Sequence, residues 1–105
     1  MVNQVATTEE FKSSISTGKL VVVDFYATWC GPCKTIAPKV VEFSKEFPEV
    51  EFIKVDVDDL SDVAADYSIR AMPTFLLFKD GEQVAEVVGA NAAKLKAVIA
   101  EKAAA

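Results

Sequence analysis

Cys30 and Cys33 enclose Gly31-Pro32, and they are the only cysteines in a chain of 105 residues that has no histidine. A Cys-x-x-Cys pair can bind a metal, brace a fold or exchange electrons by thiol–disulfide chemistry. Zinc takes about four ligands, and with no His and no second Cys pair a complete site would have to draw on carboxylates. An ordinary structural bridge does not persist in a reducing compartment. Redox chemistry is the reading that this spacing favours in a cytosolic α/β setting.

That reading depends on which elements hold the pair. Leu20 to Ala27 reads Leu-Val-Val-Val-Asp-Phe-Tyr-Ala, a β-branched and aromatic run expected of a strand buried on both faces. From Pro32 to Phe47, Ile36, Val40, Val41, Phe43 and Phe47 recur at helical spacing among charged residues. Pro38 inside that stretch removes one backbone hydrogen bond and kinks the axis, or else marks a later helix start. The cysteines therefore fall where a buried strand hands over to a long helix. Free N–H groups and the positive dipole end of that first turn favour thiolate over thiol at Cys30, which makes Cys30 the nucleophile. Cys33 lies on the same face one turn on and becomes the resolving thiol. Pro32 lacks an N–H where none is needed, and Gly31 leaves room for an approaching backbone.

The rest of the chain builds around this junction. Thr7 is the expected cap of a first helix, with Glu10 as its reciprocal partner and Gly18 closing it. Glu51 to Val57 alternates as a strand, and Asp58 to Tyr67 returns to helical spacing. Thr74 to Phe78 and Gln83 to Val88 are strands joined by Lys79-Asp80-Gly81-Glu82, a hairpin signal. Asn91 starts a last helix through Leu95, Val98 and Ile99, and the alanine-rich end from Lys102 to Ala105 is expected to fray. The order β-α-β-α-β-α-β-β-α predicts an α/β fold, a mixed sheet with helices on both faces, in one domain spanning residues 1–105.

Several residues near the pair are candidates for function. Asp24 is the only charge in its apolar run; burial there raises its pKa and lets it take the Cys33 proton, whereas a place at the strand end would leave it facing water. Lys54 on the next strand is a possible partner of Asp24 or an ordinary solvated charge. Trp29 precedes Cys30 in a turn, where its large ring serves partner contact or packs on the long helix. Pro73, after Met72, suits the first position of a strand, and its isomer is left open by the residues themselves.

Sixteen acidic residues against eleven basic ones give a net charge of −5 without a basic stripe, which argues against nucleic acid. Met1-Val2-Asn3-Gln4 shows neither a basic n-region nor a long apolar h-region, and no apolar run is long enough to span a bilayer. A soluble, cytoplasmic protein is the expectation.

The segment from Leu20 to Lys34, with Trp29-Cys30-Gly31-Pro32-Cys33 at its centre, resembles the active-site signature of the thioredoxin family, and Ala71 to Phe78 resembles its second signature. The similarity spans nearly the whole chain and is greatest to the cytosolic forms of eukaryotes. It implies the thioredoxin fold, a five-stranded mixed sheet with four helices, and a cis Pro73 against the cysteines. It also implies a client-docking surface made by Trp29, Met72, Pro73, Gly89 and Ala90, and it matches Asp24 and Lys54 to the family's buried carboxylate and neighbouring lysine. A lowered cysteine pKa and a reducing potential belong to the family's known chemistry and come to this chain by resemblance. So do recharging by a thioredoxin reductase using NADPH, the absence of any bound cofactor or metal, a monomeric state, and clients that include peroxiredoxins, methionine sulfoxide reductases and ribonucleotide reductase. Tyr26 departs from members with tryptophan there, and the extra cysteines of animal forms are absent.

Oxidising relatives favour the dithiol with a histidine between their cysteines; Gly31-Pro32 offers no such imidazolium, so the pair is expected to give electrons. The rival is a non-catalytic binding module that uses the same apolar face. An isomerase or oxidant domain is disfavoured by the missing histidine and signal peptide.

Overall fold

The computed structural model describes residues 2–105 in the order β1 (Val2–Gln4), α1 (Thr8–Ser14), β2 (Val21–Tyr26), α2 (Gly31–Glu46), β3 (Glu51–Asp56), α3 (Ser61–Asp66), β4 (Thr74–Lys79), β5 (Glu82–Val88) and α4 (Ala92–Ala103). The sheet runs β1-β3-β2-β4-β5. β1 and β2 flank β3 in parallel, and β4 pairs antiparallel with both β2 and β5, so the sheet is mixed as the element order requires.

β2 lies at the centre, and its period of two divides its side chains between two cores. Val21, Val23 and Phe25 join Phe11, Val63 and Phe78 on the face covered by α1 and α3. Val22 joins Ile36, Val40, Leu95 and Ile99 on the face covered by α2 and α4. β3 is divided in the same way, Phe52 to one core and Ile53 to the other. Both faces of β3 are therefore buried, because helices cover both sides of the sheet.

Thr7 caps α1 by accepting from the Glu10 N–H at 3.1 Å, and the Glu10 carboxylate accepts from the Ala6 N–H at 2.8 Å. α1 ends at Ser14 rather than near Gly18, which stands in the turn beyond. α2 starts at Gly31, so Pro38 is an interior helix residue with no N–H for the Lys34 carbonyl. α3 is shorter than expected, because the Asp58 N–H is bound at 2.9 Å by the Asp56 carboxylate, a side-chain turn that competes with helix, and Leu60 is non-helical. The β4–β5 hairpin turns on Asp80 and Gly81, both at positive φ, 53° and 81°, as a two-residue type I′ turn requires. At the other end of the chain α4 continues to Ala103, whose methyl group packs on the Val22 core, and Ala104 and Ala105 lie beyond the helix.

Candidate active site

β2 ends at Tyr26, and within five residues the chain enters α2 through Cys30, which occupies the N-cap with extended backbone, φ −85° and ψ 109°. Its sulfur does what an N-cap oxygen usually does and accepts the Cys33 N–H at 3.2 Å. The same amide, at the positive end of the helix dipole, stabilises negative charge on that sulfur. Cys30 and Cys33 are joined as a disulfide with their Cα atoms 5.3 Å apart. Pro32 occupies the first turn of α2, where its missing N–H is no loss, and the space beside Gly31 is open.

Both cysteines are only 5% exposed and pack with Ala27, Tyr26, Val57 and Met72. The Met72–Pro73 peptide is cis, and Cys30 Sγ lies 3.5 Å from the Met72 carbonyl oxygen. The Gly89 N–H donates to the Pro73 carbonyl at 2.8 Å, which ties the end of β5 to this turn. Gly89 holds φ at 97°, a backbone conformation that glycine alone adopts readily. Met72 is half-buried, Pro73 buried and Ala90 exposed. Trp29 is 67% exposed, which resolves the choice between core packing and surface, and its indole N–H donates to the Asp58 carboxylate at 3.0 Å.

Asp24 shares the face of β2 that carries Val22 and so points beneath α2. It is 7% exposed, and its Oδ1 has no hydrogen-bond partner. Burial pushes its pKa from the ordinary 3.8 up to about 7, against the opposing pull of the Lys54 charge. A cavity of about 280 Å³ connects it with the redox pair: Asp24, Tyr26, Cys33, Lys34, Ala37 and Lys54 line it. Lys54 is the register partner of Asp24 across β2–β3, but its ammonium lies over the Tyr26 ring, 5.5 Å from the centroid. The phenol of Tyr26 is held above its ordinary pKa, first by burial and then by Asp56, Asp59 and Asp24, so it roofs the cavity as an uncharged ring.

A family model described as Thioredoxin matches residues 2–101. The chain belongs to the thioredoxin family. Thioredoxin-1 of Saccharomyces cerevisiae is 58% identical over 98% of this chain and its own full length. Thioredoxin-2 of Pyricularia oryzae is 57% identical over 93% of this chain, which spans 57% of that longer protein. The solution structure of the oxidised thioredoxin from Plasmodium falciparum superposes with a TM-score of 0.92 at 48% identity, covering 98% of this chain and 99% of that one. As a thioredoxin the chain is a thiol–disulfide oxidoreductase that reduces disulfides in client proteins, and its redox group is its own Cys30–Cys33 pair. The thioredoxin fold expected from the sequence is the fold observed. Among the described residues no helix is long and apolar enough to cross a membrane.

Of the residues singled out in the sequence, Cys30, Cys33, Gly31, Pro32, Met72 and Pro73 gather at one end of the sheet, with Gly89 tied to Pro73 and Trp29 at the rim. Asp24 and Lys54 lie on the inner side, behind Cys33. Sequence reasoning assigned Asp58 only to a helix start and missed its bond to Trp29; no local signal links residues 29 positions apart.

Proposed function

We propose that Cys30 is the attacking sulfur, Cys33 the resolving one, and Asp24 the base for the Cys33 proton. The observation that carries this assignment is the asymmetry of the pair: the helix amide points at Cys30 Sγ, whereas Cys33 lines the cavity that Asp24 opens onto. The Cys30 thiolate attacks one sulfur of a client disulfide, forming a mixed disulfide and releasing the other sulfur as a thiolate. The Cys33 thiol passes its proton to Asp24 and attacks Cys30 Sγ. The second client sulfur leaves, and the client has gained the two electrons that the Cys30 and Cys33 dithiol lost in becoming a disulfide. With a pKa of about 7, Asp24 is matched to this proton transfer near neutrality.

Trp29, Met72, Pro73, Gly89 and Ala90 form the client-docking surface in this proposal, around a sulfur pair that the open side of Gly31 leaves approachable. An NADPH-dependent thioredoxin reductase returns the disulfide to the dithiol. Proposed clients are peroxiredoxins, methionine sulfoxide reductases and ribonucleotide reductase. A similar structure, 38% identical with a TM-score of 0.90 over 95% of this chain, was solved for thiol resolution in yeast mitochondrial 1-Cys peroxiredoxin via glutathione/thioredoxin systems. The proposed working form is a monomeric single domain in the cytoplasm.

The test is the turnover of insulin disulfides with dithiothreitol supplying electrons. Acceleration that disappears in Cys30→Ser supports the assignment; no acceleration over dithiothreitol alone would leave a binding module as the better reading.

A further inference from the structure

Trp29 is the only tryptophan in the chain, and 67% of it is exposed, yet its indole N–H is engaged by Asp58 at 3.0 Å. Asp58 is itself fixed. Its own N–H is held by the Asp56 carboxylate at 2.9 Å, and the Leu60 N–H by the Asp56 carbonyl at 2.9 Å. The Val57 N–H binds the Tyr26 carbonyl at 2.9 Å, while Asp56 pairs in register with Tyr26. The acceptor and the ring therefore hang from the ends of one pair of neighbouring strands, with Trp29 three residues beyond Tyr26 and Asp58 two residues beyond Asp56. An exposed indole without such an anchor samples several rotamers and loses that freedom when a partner covers it; holding it beforehand removes the loss from the binding step.

We infer that Asp58 is a positioning residue that presets Trp29 for client docking by accepting its indole hydrogen bond. This rests on the proposed place of Trp29 in the docking surface. Asp58 acts through the ring, not on the sulfurs, so its removal weakens client binding and leaves the exchange chemistry in place.

The test uses the full chain reducing insulin, with KM and kcat measured separately and the single indole N–H resonance followed by NMR. In Asp58→Ala the resonance moves upfield and KM rises roughly two- to tenfold, the range of one net hydrogen bond, with kcat maintained. Asp58→Asn keeps an acceptor oxygen without the charge and restores both. An unchanged resonance in Asp58→Ala, a shifted resonance with unchanged KM, or an Asp58→Asn variant as impaired as Asp58→Ala overturns the inference. Trp29→Ala separates the two readings: if it raises KM while Asp58→Ala does not, only the role of Asp58 fails, and if it leaves KM unchanged, the docking surface fails with it.

Discussion

Asp24 and Lys54 are register partners across β2 and β3, yet the lysine ammonium lies over the Tyr26 ring and one oxygen of the Asp24 carboxylate has no hydrogen-bond partner. The carboxylate is neighboured by a cation without being neutralised by it. Desolvation then outweighs the attraction, and Asp24 retains its proton up to near neutrality.

Stability follows from that balance. The folded chain binds the Asp24 proton more tightly than the unfolded chain, so stability falls as pH rises from about 4 to about 7 and the full penalty persists above that. The interval between 3.8 and about 7, at about 1.4 kcal/mol for each pH unit, corresponds to about 4 kcal/mol. Asp24→Asn, which never ionises, should exceed the parent in stability by up to that amount at pH 8 and by little at pH 4. Urea unfolding at both values checks this, and equal differences at the two pH values would refute it.

The same substitution should slow catalysis. Resolution of the mixed disulfide should accelerate as Asp24 ionises around pH 7, and Asp24→Asn should lose that limb, with a rate lower by on the order of 10²-fold at pH 8. Single-turnover kinetics across pH 5 to 9 would show the limb intact in the variant if Asp24 were not the base.

Cys33→Ser should trap the client on Cys30, because the mixed disulfide forms normally and nothing attacks it. Non-reducing electrophoresis after mixing with insulin would reveal the adduct, released by dithiothreitol. Trapping through Cys33 in Cys30→Ser instead would reverse the assignment.

Gly89→Ala places a side chain at φ 97°, where the added Cβ meets no neighbour but the backbone itself is strained. A cost of about 1–2 kcal/mol is expected, read as a thermal midpoint lower by roughly 4–8 °C per kcal/mol. The Gly89 N–H bond to Pro73 should weaken with it, so KM for insulin should rise. An unchanged midpoint would mean that this turn relaxes without cost.

Phe11 joins α1 to the sheet through ring contacts with Phe25, Tyr67 and Phe78 at centroid distances of 6.3, 5.8 and 5.9 Å. At 2% exposure, Phe11→Ala should cost about 3–5 kcal/mol, a large share of a domain's total stability. The residual folded fraction should keep its exchange activity, since the Phe11 core lies on the face of the sheet opposite α2.

The sequence by itself determined what is local. The cysteine spacing, the strand that ends before it and the helix that starts on it all depend on neighbouring residues, so the placement of Cys30 where β2 gives way to α2 was legible without coordinates, although its N-cap role was not. So was the Asp80-Gly81 turn, because its backbone demands are met by those two residues alone. Asp24 stood out as a lone charge in an apolar run, and its burial was one of the two readings that run allowed; which helix would cover it was not legible, since a single strand does not report that. Tertiary structure decided that Asp24 and Cys33 face one cavity, that Lys54 turns to Tyr26, that both faces of β3 are buried and that Asp58 holds Trp29. Each of these depends on the register of β2 against β3 or on α2 lying across the sheet, and side-chain periodicity along one strand fixes neither.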